Sequence, residues 1–134
     1  MKYLIFVFAF LLASFWYASK AEAHEMVPTY PKLKQSYMEG LYTTTMTMFN
    51  KRPEVEYYEI GVYDDNWEPV KFVSNYKIWK VPYLSTVSFD VYIRADDKYK
   101  VRYICSKSKL RKSNMTRTAI SSRICSKVKR PGEE

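Results

Sequence analysis

The only two cysteines of this chain, Cys105 and Cys125, each fall inside a run that reads as an extended strand, "YKVRYIC" and "TAISSRICSKVK". If they pair, the last strand must lie beside the one before it. Closing a loop of about twenty residues then stabilises the fold by about 3 kcal/mol in the chain-entropy model. Two free thiols and a metal site are the alternatives. A closed metal site needs four ligands, where two cysteines and a single histidine are at hand.

The redox compartment bears on that choice, and the first residues speak to it. "MKYLIFVFAFLLASFWYASKAEA" has an early lysine, an apolar run from Tyr3 to Ala13 and small residues ending in Ala21-Glu22-Ala23. This is the layout of a secretory signal peptide over residues 1–23, with cleavage after Ala23. A signal anchor is the alternative, but a run ending near Ala18 falls short of the roughly twenty residues a spanning helix needs. Secretion places the mature chain, residues 24–134, in the periplasm or outside the cell with no membrane span left. There the two cysteines are expected to be a disulfide. At 111 residues the mature chain is one domain.

Its pattern is that of strands. "GLYTTTMTMF" puts Tyr42, Thr44, Met46 and Met48 on one face, and "TVSFDVYI" does the same for Val87, Phe89, Val91 and Ile93. "EVEYYEIGVY" is a strand whose apolar positions change parity between Tyr57 and Tyr58, which predicts a bulge. "WEPVKFV" reads as a short strand interrupted by Pro69, and "SNYKIWKVPYL" as an ordered loop with a short strand through Ile78 and Trp79. "KYKVRYIC" lines up Tyr99, Val101, Tyr103 and Cys105 on one face. Pro28 and Pro31 confine "HEMVPTYPKLKQSY" to an edge strand or its approach. The last extended run carries Ile120, Ile124 and Val128. About seven short strands with turns between them and no helical periodicity predict an all-β, antiparallel, immunoglobulin-like sandwich.

Charge is uneven. Residues 24–97 hold eight Lys/Arg against eleven Asp/Glu, whereas residues 98–132 hold twelve Lys/Arg and no carboxylate. The basic segment suits an acidic protein or an anionic membrane surface, or is simply a solvated face. Aromatics interleaved with lysines in "SNYKIWKVPY" could stack on bases or sugars, but packing is the commoner role and no nucleic-acid partner is expected. His24, the sole histidine, would be the mature N-terminus, so no histidine-based catalytic constellation is available. Asp64-Asp65 and Asp96-Asp97 fall in turns. Three glycines provide no phosphate-cradling loop. No enzyme activity, cofactor or metal is expected. Asn114-Met115-Thr116 is a glycosylation sequon.

With the proline-containing loop before "FDVYI", then "YKVRYI", then a last run closing in "KVKRP", the chain resembles the N-terminal immunoglobulin-like domain of periplasmic chaperones of the chaperone-usher pilus pathway. The likeness runs from about Val27 to Pro131 and is strongest for the subgroup with a disulfide between its sixth and seventh strands, matching Cys105 and Cys125. The resemblance implies that the last strand completes a pilin by edge pairing, so that Ile120, Ile124 and Val128 face the partner. It further implies a pair of cations that anchor the pilin's terminal carboxylate, Lys127 or Lys129 on the strand and Lys32 from the N-terminal segment; Arg130 is a further candidate partner-binding residue. This chain departs from the pattern in two ways: Ser122 and Ser126 interrupt the apolar row, and no second domain follows the Arg130-Pro131 pair. The expectation is a secreted binding or assembly factor for a pilin-like or acidic envelope protein. The alternative is a structural or inhibitory component of an envelope complex that donates no strand.

Overall fold

The structure, a computed structural model, describes residues 1–15, 23–109 and 121–133. Lys2–Phe15 forms a helix, α1, whose apolar side chains from Tyr3 to Leu12 are exposed. Among the described residues no helix is long and apolar enough to cross a membrane. The rest is two antiparallel sheets of four strands each, packed as a sandwich.

The first sheet is built on β3 (Leu41–Phe49), which pairs along its whole length with β6 (Thr86–Arg94). Alternation dictates both. Met46 and Met48 on β3 face Phe89 and Val87 on β6, all pointing inward, while Thr45 and Thr47 on the other face bond to Asp90 and Ser88. The other edge of β3 takes β1 (Glu25–Val27) at one end and β2 (Lys34–Gln35) at the other. The second sheet runs β5 (Ile78–Lys80), β4 (Tyr57–Tyr63), β7 (Tyr103–Lys109), β8 (Arg123–Lys127). Tyr58, Ile60 and Val62 of β4 and Ile104 of β7 meet Met46, Met48, Val91 and Ile93 in one buried cluster. Each such side chain contributes about 1.5–3 kcal/mol by leaving water.

Three details differ from the sequence reading. β4 pairs with β7 in an unbroken register from Tyr57↔Lys109 to Tyr63↔Tyr103, without a bulge. The change of parity arises because buried Val55 lies in the loop before the strand. "WEPVKFV" forms no strand. It makes isolated bridges to Tyr63 and then to Tyr92, crossing from one sheet to the other, as a segment with Pro69 and its missing N–H can. In β7 the inward row is Ile104, Ser106 and Ser108, so Tyr103 and Cys105 face outward. A turn accounts for the reversal, since Val101 still donates its N–H back to Asp97 O after the 3-10 turn Ala95–Asp97.

The N-terminal segment laces the two sheets together. It leaves β3 after Val27, passes the cis Val27–Pro28 bond, and runs parallel to residues 127–129. There Thr29 O and Pro31 O accept the N–H groups of Lys127 and Lys129, and Leu33 donates to Lys129 O. At Lys34 it returns to β3.

His24 anchors the start of this segment. It is 1% exposed, its ring packs on Tyr58 with centroids 4.4 Å apart, Nε2 lies 2.7 Å from Ser106 Oγ and Nδ1 lies 3.2 Å from Ser122 Oγ. Arg52 donates to Ser122 Oγ and to Glu54. Asn50, fully buried, donates to Val55 O and Val81 O and accepts from Arg52 N–H and Tyr58 O–H, so its amide is saturated. Burial pushes the His24 imidazole from 6.5 down to about 4, with the Ser106 hydrogen bond opposing and the positive charge of Arg52 adding.

Because this folded pKa lies below the unfolded one, the unfolded chain takes up the proton first as pH falls. The stability contributed by neutral His24 is complete above about pH 6.5, declines by about 1.4 kcal/mol per unit below it, and levels off near pH 4. Chemical denaturation at steps between pH 7 and pH 4 should show this loss in the native sequence and a flatter profile in His24→Asn. Parallel profiles would contradict a buried neutral imidazole.

Candidate functional site

The edge strand β8 is one of the places where, among the described residues, this fold presents unpaired backbone. Its register against β7 pairs Ser106 with Ile124 and Ile104 with Ser126, and Val128 donates to Arg102 O. Even-numbered residues therefore exchange backbone hydrogen bonds with β7, and odd-numbered ones turn their N–H and C=O groups away from it. At Lys127 and Lys129 the outward N–H groups are taken by the N-terminal segment. Between Arg123 and Cys125 no strand pairs with this edge among the described residues. An open stretch of this kind is a template for another strand.

The disulfide sets that geometry. Cys105 and Cys125 are bonded, and their Cα atoms face each other at 4.1 Å across the narrow, non-hydrogen-bonded kind of pair. The pairing expected from the sequence is thus made, and it lies on the outer face of the sheet. Gly61 is the next residue across the sheet from Cys105, and a Cβ there would come within 2.7 Å of Tyr63 Oη, so the Tyr63 ring lies flat over the glycine. Tyr63, Trp67 and Tyr103 gather on this face, Trp67 stacking on Tyr103 with centroids 4.1 Å apart and rings 1° from parallel. The Arg123 guanidinium lies 5.1 Å from the Trp67 ring and 5.9 Å from that of Tyr63.

The predicted partner-binding residues separate into two groups. Val128 is fully buried, and Ile124 is partly buried against the same core. Ile120 lies outside the described residues, as does the Asn114 sequon. Lys127 is exposed and Lys129 half-buried, both on the outer row, and Lys129 forms a parallel bridge with exposed Lys32. The structure thus brings together Lys32 and Lys129, which the resemblance had nominated as one anchor. Arg130 is engaged elsewhere. It ion-pairs with Asp65 and donates to Val101 O at 3.0 Å.

A cleft of about 280 Å³ opens beside this pair, lined by Tyr30, Arg102, Lys127, Val128, Lys129 and Glu133. Its carboxylate is engaged. Glu133 accepts from Arg102 at 3.2 Å, and hydrogen bonds from Arg102 and the Arg130 N–H hold it below the usual carboxylate range. Asp65, which also accepts from Arg102 at 2.9 Å, is held low by Arg130 and then Arg102. No ion pair is made by Lys32, Lys127 or Lys129 among the described residues, so the cleft presents net positive charge. Among those residues, no three His, Cys, Asp or Glu side chains group as a metal site.

Sequence patterning missed the aromatic stack, because Trp67 belongs to a turn. Asp64 Oδ1 accepts the N–H groups of Asn66 and Glu68, and Trp67 adopts a left-handed φ of 62° between them. That conformation costs about 1 kcal/mol in a non-glycine residue, an amount comparable to what stacking returns. Trp67→Ala, which keeps the strain and loses the stack, should therefore be less stable than Trp67→Gly by about 1 kcal/mol. Equal stabilities in urea denaturation would show the turn to be unstrained.

No protein-family model matches the sequence, and no curated protein is significantly similar to it. Solved structures do match. The E. coli chaperone DraB superposes with a TM-score of 0.59 at 13% identity, over 79% of this chain and 53% of that one. A complex of the Salmonella enterica SafA pilin with the SafB chaperone gives 0.62 at 13% identity, over 83% and 55%. The periplasmic chaperone SfaE gives 0.51 at 14% identity, over 82% and 58%. The chain spans little more than half the length of each. Its fold is the one these periplasmic pilus chaperones share, in keeping with the resemblance read from its strands.

Proposed function

We propose that this chain is a secreted, periplasmic binding or assembly factor that captures an extended segment of a protein partner along the open edge of β8. The observation that carries the reading is the outward-facing backbone of Arg123 and Cys125, which ends at the Lys32 and Lys129 pair. A strand added there gains main-chain hydrogen bonds. Its terminal carboxylate would reach the two ammonium groups, where a charge-assisted hydrogen bond contributes about 1.5–3 kcal/mol. The carboxyl end then lies where the open stretch meets the N-terminal segment at Lys127, so the captured strand runs parallel to β8. A pilin-like subunit is the partner this arrangement suits, by analogy with the fold shared with SafB. Residues 1–23 act as the export signal, and the protein performs no chemistry of its own.

The inward packing of Ile124 and Val128, with Ser126 between them and Ser122 before them, favours a second reading, because little of that row is left to grip a partner. It is a structural or inhibitory envelope component that donates no strand.

The two readings separate on one measurement. A synthetic peptide of alternating apolar residues with a free carboxyl terminus should bind the mature protein. Amidation of that terminus, or Lys129→Glu, should each weaken binding about tenfold or more, and not additively, because both remove the same contact. Equal affinity for the acid and the amide would refute the carboxylate anchor.

A further inference from the structure

We infer that the strand accepted by the β8 edge carries carboxylate side chains on its outward face, one beside Arg123 and one beside Cys125 within diagonal reach of Lys127. This rests on the strand-capture reading and specifies the chemistry of the partner.

The inner row of β8 has little selectivity to offer. Ser126 and Val128 are already buried and Ile124 packs on the core, so an incoming strand finds mainly serine hydroxyls and a partly covered isoleucine there. The outer row is Arg123, Cys125, Lys127 and then Lys129, and apart from the disulfide it consists entirely of cations. The free protein leaves them crowded. Arg123 stands directly across from Lys107, and Lys32 lies beside Lys129, both like-charge neighbours of the kind that destabilises a sheet. The carboxylates within reach are engaged: Glu59, which faces Lys107, ion-pairs with Lys109 at 2.5 Å, and Asp65 and Glu133 are held by Arg102. Glu25 ion-pairs with Lys51.

An added strand places its outward side chains about 5 Å from those of β8 on the same face. Acidic residues at two successive outward positions, two residues and about 7 Å apart along the strand, would lie beside Arg123 and Cys125. The first meets Arg123 and the second reaches Lys127 diagonally, since Thr29 already occupies the edge beside Lys127. They give counter-charges to Arg123, which stands across from Lys107, and to Lys127, which stands across from Tyr103. Discrimination thus moves from an apolar plug, which Ser122 and Ser126 weaken, to charge on the opposite face. Exposed pairs contribute modestly and are screened by salt, so the preference is one of degree and depends on ionic strength.

Three peptides test this, identical in their apolar inward residues and free carboxyl terminus, with Glu, Gln or Lys at the two outward positions. Affinity for the mature protein is measured at low salt and at about 1 M salt, and amide hydrogen exchange of Arg123 and Cys125 is followed in each complex. The Glu peptide should bind about three to ten times tighter than the Gln peptide at low salt, and the Lys peptide more weakly than either. The differences should shrink at high salt, and all bound peptides should protect both amides. The double variant Arg123→Glu, Lys127→Glu, its fold checked by circular dichroism, should prefer the Lys peptide. Equal affinities with protected amides would overturn the charge selection and leave strand capture standing. Binding of the Glu peptide without protection of Arg123 and Cys125, or no binding by any peptide, would overturn strand capture and this inference with it.

Discussion

Everything distinctive about this sandwich follows from the covalent pairing of Cys105 with Cys125 across adjacent strands. A one-residue slip of β8 along β7 would exchange its inner and outer rows, and the bond excludes it. With the register fixed, Ile124, Ser126 and Val128 turn to the core, Arg123 and Lys127 to solvent, and the backbone of Arg123 and Cys125 to the open edge. The bond acts on the unfolded state as well, by closing the loop between two strands that would otherwise have to find each other.

The N-terminal segment determines how much of that edge is open. By leaving β3 at Val27 and lying along residues 127–129 before returning, it covers one end of β8, and among the described residues the other end stays unpaired. Its start is pinned by His24 between Ser106, on β7, and Ser122, the residue just before β8, the two strands being those joined by the disulfide. The serines in the inner row therefore serve a polar cluster at one end of the core. Of these, Ser122 is also a position where this chain gives up the apolar row expected of a strand donor. Packing and partner recognition make opposite demands on these residues, and packing has been favoured.

The sandwich was legible wherever one face of a strand is uniformly apolar. Met46 and Met48 of β3, and Phe89, Val91 and Ile93 of β6, announce their strands by alternation alone and are buried as read. The inner row of β7 was not legible, because Ser106 and Ser108 are buried for their hydroxyls, while the chain before the strand preserves a misleading alternation through Tyr99, Val101 and Tyr103. A hydrophobic pattern also could not reveal that His24 would be interior, or that Asn50 would bind four partners. The candidate site was half visible. Lys32 and Lys129 came from resemblance and are neighbours in the fold, but nothing local in sequence tells that Arg130 is held by Asp65, sixty-five residues away.

The proposed capture of another chain as an added strand requires that the edge of β8 at Arg123 and Cys125, unpaired among the described residues, be open in solution. Native-state amide exchange of the free mature protein, read residue by residue along β8, tests the premise most directly. The account predicts alternation, with slow exchange at Ile124 and Ser126, which bond to β7, and fast exchange at Arg123 and Cys125, which face outward. Uniform slow exchange through all four would mean that the edge is already covered, and would contradict it.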